Sequence, residues 1–200
     1  MELPQALAQI AEIRAQATKT DVYRGYRPVP IAASGVLGLA AAWLQPQALA
    51  ADRDAFVRYW MLVAACAAFI GVSEIAYNFI VHDDSLARRR TLRVAGQFLP
   101  CLIAGALLTL IVVLKSPPSI PFLPGLWALA FGLGIFASRP YLVRASGWVA
   151  LYFYLVGAAL LWTAPGPESL RAWSVGGTFG IGQILSALVL YWNLERDDWR

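Results

Sequence analysis

The stretch from Val94 to Leu114 reads VAGQFLPCLIAGALLTLIVVL and contains no charged side chain. As an α-helix it would rise about 30 Å, which matches the thickness of the hydrocarbon core of a bilayer. Further apolar stretches of similar character occur along the chain, and polar or proline-rich segments separate them. The predicted spans cover residues 28–45, 57–81, 94–114, 121–138, 146–163 and 172–193. This pattern predicts an all-α polytopic membrane protein, a bundle of six transmembrane helices.

The composition of the chain supports the same class of protein. Of its 200 residues, 59% are hydrophobic and 14% are charged, against about 45–50% and about 25% in a typical soluble domain. This excess excludes a soluble enzyme, a DNA- or RNA-binding domain and a disordered chain. We expect contact with the lipid bilayer and no nucleic-acid partner, because the basic residues lie between the apolar stretches rather than in one patch.

Basic residues divide unequally between the two sides of a six-span arrangement. The positive-inside rule assigns the richer side to the cytoplasm, which predicts that both termini are cytoplasmic. One side holds Arg14, Lys19, Arg24, Arg27, Arg88, Arg89, Arg90, Arg93, Arg139, Arg144, Arg196 and Arg200, and the other holds Arg53, Arg58, Lys115 and Arg171.

The first residues of the chain have a helical pattern of their own. Leu3, Leu7, Ile10 and Ile13 recur at helical spacing, which predicts a short cytoplasmic amphipathic helix over residues 1–22, followed by the six-helix domain over 23–200. This helix could lie on the membrane, dock a partner or pack against its own bundle, and we favour the last.

Small residues within the spans indicate where helices approach each other closely. Ser34 and Gly38 are four residues apart in the first span, and Gly176 and Gly180 repeat that spacing in the sixth. Pro100 should kink the third span unless its neighbours compensate.

Glu74 is the one acidic residue well inside a predicted span, and an ionisable group in a bilayer is costly enough to suggest a function. Counted from Val81, it lies about 10 Å below the cytoplasmic boundary. Asn78 and His82 follow at i+4 and i+8, so the three share one helical stripe.

Polar residues of other helices are expected near Glu74. Ser34 and Gln97 lie at a comparable depth in the first and third spans, and Gln183 lies nearer the midplane in the sixth. We predict that they line a polar, cytoplasm-facing chamber that binds a small-molecule ligand, with Tyr26 and Arg27 at its entrance. The alternative is a purely structural pair, in which Glu74 is held by Arg27, Arg93, Arg144 or Gln97.

Catalytic and metal-binding patterns are absent from the sequence. His82 is the single histidine, which makes it a weak metal ligand and a better candidate for an interfacial residue in a solvated turn. Cys66 and Cys101 lie at different depths and are expected to pack as small side chains without forming a disulfide. We therefore expect no cofactor, no metal and no catalytic residue. A binding function is favoured over enzymatic activity.

Several short motifs carry a resemblance to a known group of proteins. They are Pro124-Gly125-Leu126-Trp127, then Phe131 to Ser138, Phe179-Gly180-Ile181-Gly182-Gln183 and the closing Tyr191 to Arg196. With these motifs, the chain from Tyr23 onward resembles an uncharacterised family of six-span bacterial inner-membrane proteins. The resemblance implies a multi-pass protein of the bacterial inner membrane. It also implies a regulatory role beside winged-helix transcription regulators, and it transfers no catalytic residue.

Taken together, the sequence predicts a non-enzymatic membrane protein that binds or transports a small molecule through the chamber. The alternative is a membrane-embedded regulatory protein that partners a cytoplasmic protein, such as a transcription regulator, or a second copy of itself. An intramembrane enzyme is the least favoured function, because no nucleophile–base pair is visible.

Overall fold

The computed structural model describes residues 28–81, 85–166 and 169–195. Within these ranges the chain is helical and contains no strand. The predicted amphipathic helix over residues 1–22 lies outside the described residues.

Six α-helices make up most of the described chain. Short 3₁₀ helices occur at Gln47–Ala50, Pro117–Phe122 and Arg139–Tyr141, and a π-helical turn follows the last α-helix at Tyr191–Glu195. The α-helices are α1 (Pro28–Leu44), α2 (Arg53–Val81), α3 (Ser85–Lys115), α4 (Leu123–Ser138), α5 (Ser146–Thr163) and α6 (Ala172–Leu190).

Most of these helices are suited to a bilayer. In the described residues, five segments are long and apolar enough to cross a membrane, and they belong to α2, α3, α4, α5 and α6. Helix α1 is apolar but has 17 residues, which is at the lower end of the range of about 17–25 that can span the hydrocarbon core. The chain is therefore a helical membrane protein with several membrane-competent helices.

Two helices begin earlier than the hydropathy pattern predicts. Helix α2 starts at Arg53 because the Asp52 carboxylate accepts a hydrogen bond from the Ala55 backbone N–H at 3.0 Å, which caps its first turn. Helix α3 starts at Ser85 and continues through Pro100 without a break, as neighbouring groups in membrane helices permit.

The closest seam joins α1 to α6. A Cβ atom at Gly35 would lie 2.9 Å from the Gly180 carbonyl oxygen, and one at Gly176 would lie 2.6 Å from the Gly38 carbonyl oxygen. Gly38, Gly176 and Gly180 thus lie at a close helix approach, as their spacing predicts, and here the approach joins α1 to α6. Gly35 takes the place predicted for Ser34, whose hydroxyl donates within α1 to the Ile31 carbonyl at 2.7 Å.

Glycines also set the other main seams. A Cβ atom at Gly125 of α4 would lie 2.9 Å from the Gly157 carbonyl oxygen of α5, and one at Gly134 would lie 2.7 Å from the Phe98 ring of α3. Contacts between neighbouring helices give the order α2, α1, α6, α5, α4, α3. Within the described residues, the two ends of this series, α2 and α3, contact each other little.

A cluster of buried apolar side chains holds one end of the bundle together. Phe56 and Trp60 of α2, Ile120 and Leu123 before and in α4, and Val175 of α6 form one buried cluster there. Trp60 Nε1 also donates to Gln45 Oε1 at 2.8 Å. The described part of α2 has no buried residue after Trp60, so α2 is anchored to the bundle through its first turns.

Candidate ligand-binding site

Glu74 lies on the side of α2 that faces the bundle. A stripe of less exposed residues runs along one side of α2. It begins with the buried Phe56 and Trp60 and continues through half-buried residues to Glu74, which is itself half-buried. Phe69, on another face of the same helix, is 73% exposed. The half-buried positions between them are Val63, Ala67, Ile70 and Gly71. The carboxylate therefore belongs to the inner face of α2 and not to its outer face.

The depth of Glu74 follows from the contacts of α2. Trp60 meets Gly176 of α6, and both helices run in the same direction from that contact because each is antiparallel to α1. At about 1.5 Å per residue, Glu74 lies about 21 Å from that level and Gln183 about 10 Å from it. The membrane-competent segment of α2 ends at Glu74. The helix itself continues to Val81, so Glu74 lies about 10 Å before its end, as the count from Val81 gave.

Gln183 lies at the seam of α1 and α6, and Ser34 lies at the same level on the adjacent face of α1. A Cβ atom at Gly35, the residue after Ser34, would lie 3.1 Å from the Gln183 Cβ atom. Both polar side chains are half-buried. They form the deeper polar level of the bundle, about 10 Å from the level of Glu74.

Gln97 occupies a different environment. Its side chain is exposed on α3, whereas the next residue, Phe98, packs edge-to-face on Phe131 of α4 with ring centroids 5.0 Å apart. Among the described residues, the main helix neighbour of α3 is α4 and not α1 or α6, so Gln97 does not join the polar level at the α1–α6 seam.

Four further candidates are only partly accessible to structural description. Asn78 belongs to α2, one turn after Glu74, but its side chain is outside those described. Tyr26, Arg27 and His82 lie outside the described residues altogether. Their roles at the entrance, or as a weak metal ligand, stay predictions.

Cysteine and metal chemistry add little to this site. Cys66 and Cys101 are free thiols, the first exposed and the second half-buried. In the described ranges, no group of three or more His, Cys, Asp or Glu side chains is placed to hold a metal ion.

A groove between α4 and α5 was not predicted from the sequence. It has a volume of about 260 Å³ and is lined by Phe136, Arg139, Arg144, Gly147, Trp148 and Leu151. The sequence assigned Arg139 to topology alone, and Arg144 to topology and to the alternative pair with Glu74. The signal that could have found it is an apolar residue on each helix near these basic residues: Phe136 lies one turn before Arg139, and Leu151 about two turns after Arg144.

No protein-family model matches this chain, and neither a curated protein nor a solved structure matches it. The resemblance to the six-span bacterial inner-membrane proteins stays a prediction. Function therefore has to be inferred from the geometry of this chain.

Proposed function

We propose that this protein is a non-enzymatic integral membrane protein that binds a small molecule in a polar chamber open to the cytoplasm, and transports it. The observation that carries the proposal is the half-buried carboxylate of Glu74 on the bundle-facing stripe of α2. Ionisable groups inside membrane proteins often mark ligand or proton pathways, and a carboxylate on this face offers a charged group to a ligand.

The polar groups are arranged in two levels, as a chamber requires. Glu74 lies on the part of α2 toward Val81, from which a ligand would enter, and Ser34 and Gln183 lie about 10 Å deeper. The deeper level offers a hydroxyl and an amide, which bind by hydrogen bonding and not by charge. A ligand with a cationic or proton-donating group and a neutral polar group would match both levels.

The loose attachment of α2 supports a space beside Glu74. The described part of this helix is buried only at Phe56, Val57 and Trp60, and it contacts α3 little. Among the described side chains, those near Glu74 are less buried than those of the first turns, so a shift of this part of α2 could admit a ligand.

For localisation, we propose the bacterial inner membrane with both termini in the cytoplasm. The distribution of arginine and lysine supports this orientation. Six crossings, with α1 as a short span, would return the C-terminus to the side of the N-terminus.

Native mass spectrometry of the purified protein tests the proposal. We expect the wild-type protein to retain a non-protein mass that is lost in Glu74→Gln, because the amide keeps the shape of the side chain and removes its charge. Asp54→Asn is the matched control, since Asp54 is exposed in the first turn of the same helix. Expression and elution volume in size-exclusion chromatography should match in all three proteins.

Two results would argue against ligand binding. One is a bound mass that Glu74→Gln retains at the wild-type level. The other is co-purification of a stoichiometric protein partner with no small molecule, which would favour the regulatory alternative.

A further inference from the structure

The groove between α4 and α5 has an unusual combination of side chains for the end of two membrane helices. Arg139 follows α4, Arg144 precedes α5, and none of the six lining residues is acidic. Two guanidinium groups thus face a cavity whose walls supply no carboxylate. The positive charge of the groove favours the binding of an anion.

Arg139 is held in place by its neighbours. Its Cζ atom lies 6.0 Å from the centroid of the Phe136 ring, within the distance of a cation–π contact. On the other side, a Cβ atom at Gly147 would lie 3.4 Å from Arg139 Nε, so the glycine lets the guanidinium lie against the first turn of α5. This fixed position lowers the entropy lost when an anion binds.

The backbone at the start of α5 does not supply the anion site. The Gly147 N–H donates to the Arg144 carbonyl at 3.2 Å, and the Trp148 N–H donates to the Ala145 carbonyl at 3.0 Å. An anion in the groove must therefore be bound by the arginine side chains, whose planar donors suit the oxygens of a phosphate group.

The groove changes from charged to apolar along the helices. Phe136 lies one turn before Arg139 and Leu151 one turn after Gly147, and they are 49% and 40% exposed. Trp148, which is 74% exposed, lies between the two levels, where indole rings prefer the membrane interface. A free inorganic anion would use only the charged part of this surface.

We propose that the groove binds an anionic phospholipid, with Arg139 and Arg144 on its phosphate group and Phe136, Trp148 and Leu151 along the start of its acyl chains. This assignment does not depend on the chamber at Glu74 or on the orientation of the chain in the membrane. It is favoured over a free phosphate because the ligand must be charged at one end and apolar at the other.

The test is lipid binding measured by native mass spectrometry of the intact protein in detergent. Phosphatidylglycerol and phosphatidylcholine with identical acyl chains are titrated in separate samples. The variant is Arg139→Gln/Arg144→Gln, and the control is Arg53→Gln/Lys115→Gln, which removes two exposed charges at the opposite end of the bundle. Both arginines are exposed, so folding should be unaffected, and elution volume verifies this.

We expect the wild-type protein to prefer phosphatidylglycerol. Each arginine should contribute about fivefold to its affinity, and the double variant should lose about 25-fold. The control should bind like the wild-type protein. Equal binding of both lipids, full binding by the groove variant, or an equal loss in the control would overturn the proposal. Displacement of phosphatidylglycerol by millimolar inorganic phosphate would overturn it in favour of a free-anion site.

Discussion

At the scale of single residues, Gly176 shows how little space the α1–α6 seam leaves. A Cβ atom at this position would lie 2.5 Å from the Ala42 Cβ atom and 2.6 Å from both the Gly38 carbonyl oxygen and the Trp60 ring. One of these contacts is with backbone, which cannot move aside as a flexible side chain can. The helices would have to separate to admit even a methyl group.

We expect Gly176→Ala to destabilise the protein by about 1–3 kcal/mol, the usual cost of overpacking a core. Gly105→Ala is the matched control, because a Cβ atom at Gly105 meets nothing within 4 Å, and alanine favours the helix over glycine. Thermal unfolding in detergent measures both changes. A control as unstable as Gly176→Ala would contradict this explanation.

Another residue-scale prediction concerns the hydrogen bond between α3 and α4. Trp127 Nε1 donates to Thr109 Oγ1 at 2.8 Å, and this hydroxyl donates to the Gly105 carbonyl at 2.7 Å. Interhelical side-chain hydrogen bonds in membrane proteins contribute about 0.6 kcal/mol on average. A double-mutant cycle of Trp127→Phe and Thr109→Val should give a coupling energy of this size.

The comparison for that cycle is Trp162→Phe, at a side chain that is 91% exposed. It should leave stability unchanged and should show no coupling with Thr109→Val. Strictly additive effects of the Trp127→Phe and Thr109→Val substitutions would show that the hydrogen bond contributes nothing.

Spacing could predict which residues lie at close helix approaches, but not which helices pair there or the exact phase. Gly38, Gly176 and Gly180 do lie at a close approach, because small residues four apart share one helix face, and the structure shows that it joins α1 to α6. Ser34 was preferred to Gly35, yet the two differ by only about 100° of helical rotation. Only the position of α6 decides which of them meets a neighbour, and a single helix pattern does not contain that information.

At the scale of an element, α2 combines a fixed first part with a lightly packed remainder. Phe56 is 0% exposed and Trp60 is 3% exposed, whereas Phe69 is 73% exposed. The helix is anchored by its first turns. Substitutions of the same type should therefore differ sharply along its length.

Phe56→Ala should destabilise the protein by about 3–5 kcal/mol, as expected for removal of a fully buried aromatic ring. Phe69→Ala changes the same side chain on the outer face of the same helix and should cost much less. Chemical denaturation in mixed micelles can compare the two. Similar losses would mean that α2 is packed evenly along its length.

Hydropathy locates the helices well because each apolar core is longer than any loop that separates it from the next. It locates their ends less well, since Ser85–Lys115 continues as one helix through a polar first part. That part, with three consecutive arginines, is helical but not apolar, and a scale that measures transfer into lipid cannot detect it.

At the scale of the whole molecule, the order of helix contacts and the basic residues together predict the topology. The exposed residues Pro118 and Pro140 lie in 3₁₀ helices at opposite ends of α4. If α4 crosses the membrane, as its apolar segment permits, these prolines lie on opposite sides.

Single cysteines at these two positions test the orientation in a Cys66→Ser/Cys101→Ser background. In intact cells, a membrane-impermeant maleimide should label Pro118→Cys, and it should label Pro140→Cys only after permeabilisation. The arginine-rich ends should be cytoplasmic. The reverse labelling pattern would mean that the chain has the opposite orientation in the membrane. The end of α2 nearer Glu74 would then face outward.

The candidate chamber was harder to predict than the fold. Depth along each helix could be counted, and Gln183 does lie deeper than Glu74. Lateral position could not be counted. Gln97 was therefore expected to line the chamber, whereas its side chain is exposed on α3. A list of polar residues at matching depths contains no information about which helices are neighbours.

The pairing of α1 with α6 has a consequence for biogenesis. The first of these helices to leave the ribosome has as its closest partner the last one to be made. Until α6 is inserted, the glycine face of α1 must contact lipid or a chaperone of the insertion machinery instead of its partner helix. Final closure of the bundle is therefore a late, post-insertion event, and chains that stop before Ala172 should be substrates for membrane quality control.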